Sequence, residues 1–247
     1  MYLQARKRFY WPNMHQHIAA AIDGCAACRQ SKARKATKQV PLGQTSTKER
    51  THFTTFHCDL VGPWPNTRGP GTKKYLLNLQ DAVTKYPEEW PIADATAENI
   101  VKVLTKEFFP RYGVGMRVIS NQGRQFTSAL FQNAARRLGV FSVTTQTYEP
   151  KTNPVEWLHR TLENAIGCKM ESEQAHPTQW HQFVPAALAS IRQAPVAYLG
   201  TSPHFLTFGS DPVIPADVLV SPSHQPSLTI DQDFERLRQT LEGIKIK

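Results

Sequence analysis

Three strand-like runs follow one another with no helix between them, and the first carries an acid near its end. Thr54 to Leu60, Lys74 to Leu79 and Tyr86 to Ile92 are short and apolar or alternating, and the first two are parted by the loop from Gly62-Pro63-Trp64-Pro65 to Gly71. Strands this close in sequence pair as an antiparallel meander, because parallel neighbours need a crossover of a dozen or more residues. Asp59, inside Phe56-His57-Cys58-Asp59-Leu60, is therefore placed at the end of a rigid strand.

The pattern then changes from period two to period 3.6. Thr96 reads as an N-cap, with Ile100, Val101, Leu104 and Phe108 forming a stripe that Gly113-Val114-Gly115 stops. Met116 to Ser120 is a short buried strand, Ser128 to Leu138 a helix closed by Gly139, and Phe141 to Thr145 a fifth strand. Asn153 caps a helix in which Val155, Leu158, Leu162 and Ile166 share a face. Thr178 to Arg192 supplies another helix, interrupted or bent at Pro185. Three strands, helix, strand, helix, strand, helices is the order of an α/β layer fold.

Upstream, residues 9 to 36 form a small helical unit. Phe9-Tyr10-Trp11 anchors it, Pro12 is a first-turn residue, and Met14, Ile18, Ala21 and Ile22 keep helical spacing before Gly24. Residues 37 to 51 lack periodicity and read as a linker, and a compact domain begins near residue 52. From residue 210 the chain is rich in Pro, Ser and Asp, a weakly packed tail with one short amphipathic helix at Asp231 to Leu241.

Charge is distributed unevenly. The first 50 residues hold ten Lys or Arg against Asp23 and Glu49, which places +8 of the net +9 in a fifth of the chain. Nucleic acid is the polyanion such a segment would meet, although basic segments also serve solubility. No apolar run is long enough to span a bilayer and the start lacks a signal core, so no membrane role is expected. Four cysteines, Cys25, Cys28, Cys58 and Cys168, fit a reducing compartment and an intracellular or nuclear location.

Asp59, Asn121 and Glu156 have the layout of a two-metal phosphoryl-transfer site, in which carboxylates hold paired divalent ions about 4 Å apart. In that layout Asp59 bridges both ions while residue 121 and Glu156 each ligate one. Asn121 brings an amide oxygen without charge, and Mg2+ or Mn2+ favours converging anionic oxygens. Weak or lost metal binding, and hence impaired catalysis, is the expectation. The same three residues also suit bland roles: a strand-end turn acid, a turn former in Ser120-Asn121-Gln122-Gly123, and an acid in a helix first turn. The residues alone leave both readings open.

Cys25-Ala26-Ala27-Cys28 has metal-ligand spacing but supplies only half of a tetrahedral Zn2+ site. His15 and His17 are two apart, not the three or four that puts imidazoles on one helical face. An incomplete zinc site is expected.

Phe9-Tyr10-Trp11-Pro12-Asn13-Met14 followed by Cys25-Ala26-Ala27-Cys28-Arg29-Gln30-Ser31-Lys32 resembles the second half of the zinc-binding domain of integrases from gypsy-type LTR retrotransposons and retroviruses. In that family a His pair upstream completes a His-His-Cys-Cys site; eight residues precede Phe9 here and none is His, so the resemblance implies a truncated finger. His57-Cys58-Asp59-Leu60-Val61-Gly62-Pro63 resembles the first-acid motif. Tyr75-Leu76-Leu77, Asp81 and Tyr86-Pro87 resemble the strands that follow it. Ile119-Ser120-Asn121-Gln122-Gly123-Arg124-Gln125-Phe126-Thr127-Ser128 resembles the second-acid motif, where the family has Asp at the position of Asn121. Tyr148 to Arg160 resembles the segment around the catalytic Glu, with Lys151 in place of Gln and a single Pro154 in place of two residues. The deletion leaves 34 residues, 122 to 155, between Asn121 and Glu156. Ser202-Pro203-His204-Phe205-Leu206-Thr207-Phe208-Gly209 resembles the segment closing the core.

The resemblance implies an RNase H-like α/β core with a five-stranded mixed sheet flanked by helices, preceded by a truncated small helical zinc-binding-like domain. It divides the chain into 1–36, a linker 37–51, a catalytic core 52–209 and a tail 210–247. It also implies DNA 3′-end processing and strand transfer, Mg2+ or Mn2+ at Asp59, Asn121 and Glu156, and a homo-oligomer. Lys151, His159 and Arg160 would then meet DNA phosphates, and Gln125 and Thr127 a DNA end. Trp64, Trp90 and Trp180 read as packing residues, since none lies in a dense basic patch. The Asn121 departure favours an impaired integrase; an active one and a non-enzymatic domesticated DNA-binding or interaction module are the alternatives.

Overall fold

The first strand ends up in the middle of the sheet although it comes first in the chain. In the computed structural model, β1 (Thr55–Val61) pairs antiparallel with β2 (Tyr75–Asp81), which pairs antiparallel with β3 (Pro87–Ile92). On its other side β1 pairs parallel with β4 (Arg117–Ser120), and β4 pairs parallel with β5 (Phe141–Thr144). The order β3-β2-β1-β4-β5 is the five-stranded mixed sheet of an RNase H-like core. The structure describes residues 2–6, 8–33, 51–64, 72–115, 117–144, 154–196, 199–214 and 217. Two compact units are present, one of residues 37–188 and one combining 1–36 with 189–247.

Alternation along the strands gives the sheet two different faces. Phe56 and Cys58 of β1, Leu77 and Leu79 of β2 and Val118 of β4 join one apolar core with Ile100, Leu104, Phe108, Phe126 and Phe131 from the helices covering that face. Burial in this core, with Asp59 as the next residue, pushes the Cys58 thiol well above its usual range. The other face carries His57, Asp59, Asn78 and Gln80, and α8 (Pro154–Ser172) packs against β1 through a helix in which Leu158, Leu162 and Ile166 are buried.

Local chemistry sets the boundaries. Thr96 caps α4 (Ala97–Val103), its hydroxyl accepting from the Asn99 amide at 3.3 Å, and Ser128 caps α7 (Ala129–Arg137) through the Phe131 amide at the same distance. Past α4 the helix widens into a π turn at Leu104–Phe108 before α5 (Phe109–Tyr112). Pro110 accounts for this: it has no amide to give the Lys106 carbonyl, and its ring crowds that carbonyl. A short helix, α6 (Arg124–Thr127), precedes α7 and had no periodic signal.

The segment expected as a helix interrupted or bent at Pro185 is interrupted just before it. A 3-10 helix spans Pro177–Phe183, opened by a capping box between His176 and Gln179, and α9 (Val184–Gln193) follows with Pro185 in its first turn, where a missing amide costs nothing. The tighter winding brings Trp180 onto Trp64, rings parallel at 4.5 Å, and lets its indole N–H donate to the Lys73 carbonyl at 3.1 Å. Trp90 packs edge-on against Phe108 at 5.7 Å.

The smaller unit contains α1 (Tyr2–Arg6), α2 (Met14–Gly24), α3 (Ala26–Ala33) and α10 (Pro203–Phe208). Pro12 lies outside α2, whose N-terminal neighbour Asn13 takes a left-handed conformation with no side-chain cap. The Arg8 guanidinium grips the Asp217 carboxylate, and Asp217 also accepts from the Ile214 amide at 2.8 Å. The expected linker as far as residue 50, the cap Asn153, and the tail helix at 231–241 lie outside the described residues.

Candidate active site

Register explains how two residues 62 apart meet. Cys58 pairs with Ser120 across the parallel β1–β4 ladder, so the next residue on each chain, Asp59 and Asn121, emerges on the same side of the sheet end. The Asp59 Oδ1 accepts from the Leu60 amide at 2.8 Å and from the Asn121 Nδ2 at 2.8 Å. The orientation of the Asn121 amide is fixed independently, because its Oδ1 accepts from the Gly123 amide at 2.9 Å and only an oxygen can do so. The side chain thus turns its donor, not its acceptor, toward Asp59.

On the other oxygen, Asp59 Oδ2 lies 3.9 Å from His159 Nδ1, beyond hydrogen-bond reach. Burial lowers the His159 pKa to about 4, so the ring is neutral at pH 7 despite the neighbouring carboxylate. Desolvation of the imidazolium outweighs the attraction at this separation. His159 therefore faces Asp59 as a neutral ring at pH 7.

Asp59 also has polar neighbours in register that no motif singled out. Asn78 sits opposite it on β2 and donates through Nδ2 to Glu89 of β3 at 2.5 Å, both residues being buried. The only sequence trace of this row is the alternation Leu77-Asn78-Leu79-Gln80, which marks the second face as polar. Deeper still, His57 is buried near Lys85, and burial followed by that charge lowers its pKa to about 4. Lys85 is itself lowered by burial, its Nζ donating to the Ala82 carbonyl at 2.6 Å.

The remaining candidates fall in different places. Glu156 lies in the first turn of α8, one turn before His159 and Arg160, and its side chain is outside the described part of the structure, as is Lys151 entirely. Gln125 and Thr127 lie on α6 beyond Gly123, with the Thr127 hydroxyl donating to the Gly123 carbonyl at 3.4 Å. Among the described residues no group of three His, Cys, Asp or Glu is placed to hold a metal. Of the groups that a divalent pair would use, the described ones are one carboxylate, accepting two N–H bonds on one oxygen, and an amide that turns its nitrogen toward it; the Glu156 side chain is not among them.

In the smaller unit Cys25 and Cys28 flank the start of α3, the Cys28 amide donating to Cys25 Sγ at 3.4 Å. His17 accepts from the Trp11 indole at 3.1 Å, and the His15 ring packs on Tyr2. Two thiolates are half of a structural zinc set, and no third described ligand joins them.

Comparisons with known proteins agree with this division. Residues 53–150 match the integrase core domain model, and residues 1–34 match the integrase zinc binding domain model. The chain is 28% identical over 205 residues to the Gag-Pol polyprotein of feline leukemia virus, covering 83% of this chain and 11% of the polyprotein. It is 25% identical over 240 residues to the retrovirus-related Pol polyprotein from transposon 412 of Drosophila melanogaster, covering 97% and 19% respectively. The chain thus spans a small part of these relatives. A crystal structure of the catalytic core domain of BIV integrase aligns with a TM-score of 0.49 and 19% identity, over 62% of this chain and 91% of that one. No described helix is long and apolar enough to cross a membrane.

Proposed function

We propose that the chain is a DNA-acting integrase domain of the retroviral and LTR-retrotransposon family, in which end processing and strand transfer at Asp59 are impaired. The observation that carries this reading is the hydrogen bond from Asn121 Nδ2 to Asp59 Oδ1, locked by the Gly123 amide on the opposite atom. A second carboxylate at this place would add negative charge and share a cation with Asp59; the amide instead supplies its own positive end. It satisfies the Asp59 oxygen without any ion. Mg2+ or Mn2+ would supply Lewis-acid activation of the attacking and leaving oxygens in this family's chemistry, and an Asn121 amide turned nitrogen-first toward Asp59 disfavours such a pair.

What these residues do without an ion is limited. Asp59 is held still by Leu60 and Asn121 and is shielded on its second oxygen by a neutral His159. Arg160, next along α8, keeps a permanent charge for a DNA phosphate, and Lys151, Gln125 and Thr127 remain candidate DNA contacts. Cys25 and Cys28 would hold Zn2+ only with ligands from outside the described set.

Strand transfer onto target DNA from a processed DNA end, with Mg2+ or Mn2+, tests the proposal. The wild-type chain should give no product above an Asp59→Asn control, and Asn121→Asp should raise turnover. Robust wild-type turnover that vanishes on changing Asp59 overturns the impairment.

A further inference from the structure

Two thiols outside the Asp59 site, Cys25 and Cys28, share the start of one helix. Cys25 closes α2 and, with an extended backbone at φ −74° and ψ 106°, directly precedes α3. Its carbonyl accepts the first helical bond, from the Arg29 amide at 3.0 Å, and its Sγ accepts from the Cys28 amide at 3.4 Å. Cys25 therefore takes the cap position that a serine often fills, with its sulfur folded over the residue that carries the other thiol. Both cysteines are half-buried, and neither is in a disulfide.

Zinc chemistry does not account for the pair from the described residues. His17 Nδ1 accepts from the Trp11 indole at 3.1 Å and the His15 ring packs edge-on against Tyr2, so both nearby imidazoles are engaged elsewhere. No third described His, Cys, Asp or Glu joins the sulfurs. A dithiol at this spacing has a second chemistry. A disulfide needs Cβ atoms about 4 Å apart, and a cap residue whose sulfur already touches the amide of its partner reaches that geometry by side-chain rotation, with the helix left in place. Charge favours the reagent too: Arg29, Lys32, Arg34, Lys35, Lys38 and Lys48 lie between Asp23 and Glu49 with no acid among them. Such a segment attracts an anionic disulfide.

We propose that Cys25 and Cys28 form a redox switch, closed by a low-molecular-weight anionic disulfide of the oxidised glutathione type. The Cys25 sulfur attacks one glutathione sulfur, forming a mixed disulfide and releasing the first glutathione thiol. The Cys28 sulfur then attacks Cys25 Sγ, the bond to glutathione breaks, and the second glutathione leaves with that electron pair. The protein loses two electrons and two protons, and the two released thiols hold them. Closed, the pair pins the α2–α3 junction and leaves neither sulfur for a metal; open, it remains half of a tetrahedral set. Cys58, buried in the core, and Cys168, half-buried on α8, have no cysteine at this spacing.

The test equilibrates the full chain at graded ratios of reduced to oxidised glutathione, quenches with iodoacetamide, and reads the tryptic peptide Phe9–Arg29, which carries both cysteines. That peptide should lose both alkylations together and become lighter by two hydrogens. In the folded chain this should need at least about tenfold less oxidised glutathione than in a synthetic peptide of the same sequence, because the helix start holds the sulfurs together. Cys25→Ser and Cys28→Ser should each stop at a stable glutathione adduct of the remaining cysteine, with the circular dichroism of the wild type. A wild-type adduct that never closes, a disulfide between two chains on non-reducing electrophoresis, or closure no easier than in the peptide overturns the proposal. Zinc bound at one ion per chain that blocks oxidation at every ratio also overturns it, since the pair would then belong to a complete metal site.

Discussion

Replacing Asn121 by Asp should make the protein less stable without a divalent ion and responsive to one. The wild-type amide lies 2.8 Å from Asp59 Oδ1, a hydrogen bond to a charged acceptor, and such bonds contribute about 1.5–3 kcal/mol. The substitution would remove it and set two carboxylates together. At the same 2.8 Å their repulsion is about 1.5 kcal/mol in a water-like dielectric. That dielectric is the right one, because residue 121 is exposed and its side chain can swing outward. The two terms add to about 3–4.5 kcal/mol with both carboxylates held in place, and outward rotation of residue 121 reduces the net loss to about 2–3 kcal/mol, which for a chain of this size lowers Tm by roughly 4–12 °C. With about 10 mM Mg2+ and a dissociation constant of about 1 mM, the variant should regain about 1.4 kcal/mol, whereas the wild type should gain almost nothing. Thermal unfolding of both proteins in EDTA and at that concentration of Mg2+ or Mn2+ gives the midpoints needed. A wild type stabilised by the ions as much as the variant would refute the reasoning, because Asn121 would then be ligating rather than displacing the cation.

Acid should destabilise the protein through two buried imidazoles. The folded-state values for His57 and His159 are depressed from 6.5 to about 4, so between these values the unfolded chain binds more protons; stability is full above pH 6.5 and is lost as pH falls toward 4. Each ring contributes about 3 kcal/mol over that window, and His57→Gln should remove about half of the slope in urea unfolding between about pH 4.5 and 6.5; an unchanged slope would show that other groups carry it. Gly62→Ala should cost at least about 2 kcal/mol, because Gly62 has φ +124° and an added Cβ would lie 2.6 Å from the Lys74 carbonyl oxygen; a midpoint unchanged in denaturant would show that the loop shifts freely. Trp180→Ala should cost about 3–5 kcal/mol by emptying the fully buried site stacked on Trp64, and a loss under about 1 kcal/mol would mean the surroundings collapse into it.

Much of the architecture was legible in the chain. Thr96 caps the helix it was expected to cap, Ser128 stands at the start of the helix expected there, Gly113 ends the first long helical run, and Leu158, Leu162 and Ile166 are buried together on α8. These features arise from chemistry within a few residues: a hydroxyl facing an amide two or three positions on, a glycine adopting a positive φ, a stripe at period 3.6. The site was legible as a set of residues but not as an arrangement. His159 was expected to flank the acidic site, and the structure adds that it faces Asp59 at 3.9 Å as a buried ring. The short α6, the π turn and the 3-10 helix before α9 were also missed, since none of them carries a periodic pattern long enough to register.

By itself the sequence determined which elements form, in what order, and that an amide stands where a second acid belongs. Only the tertiary structure decided that β1 lies between β2 and β4, that Asn121 turns its nitrogen toward Asp59, and that Trp64 meets Trp180 from far along the chain. The division has a physical cause. Capping, turn and periodicity terms act between near neighbours and are written locally, whereas register, amide orientation and proton affinity depend on which distant groups packing brings within about 3 to 4 Å.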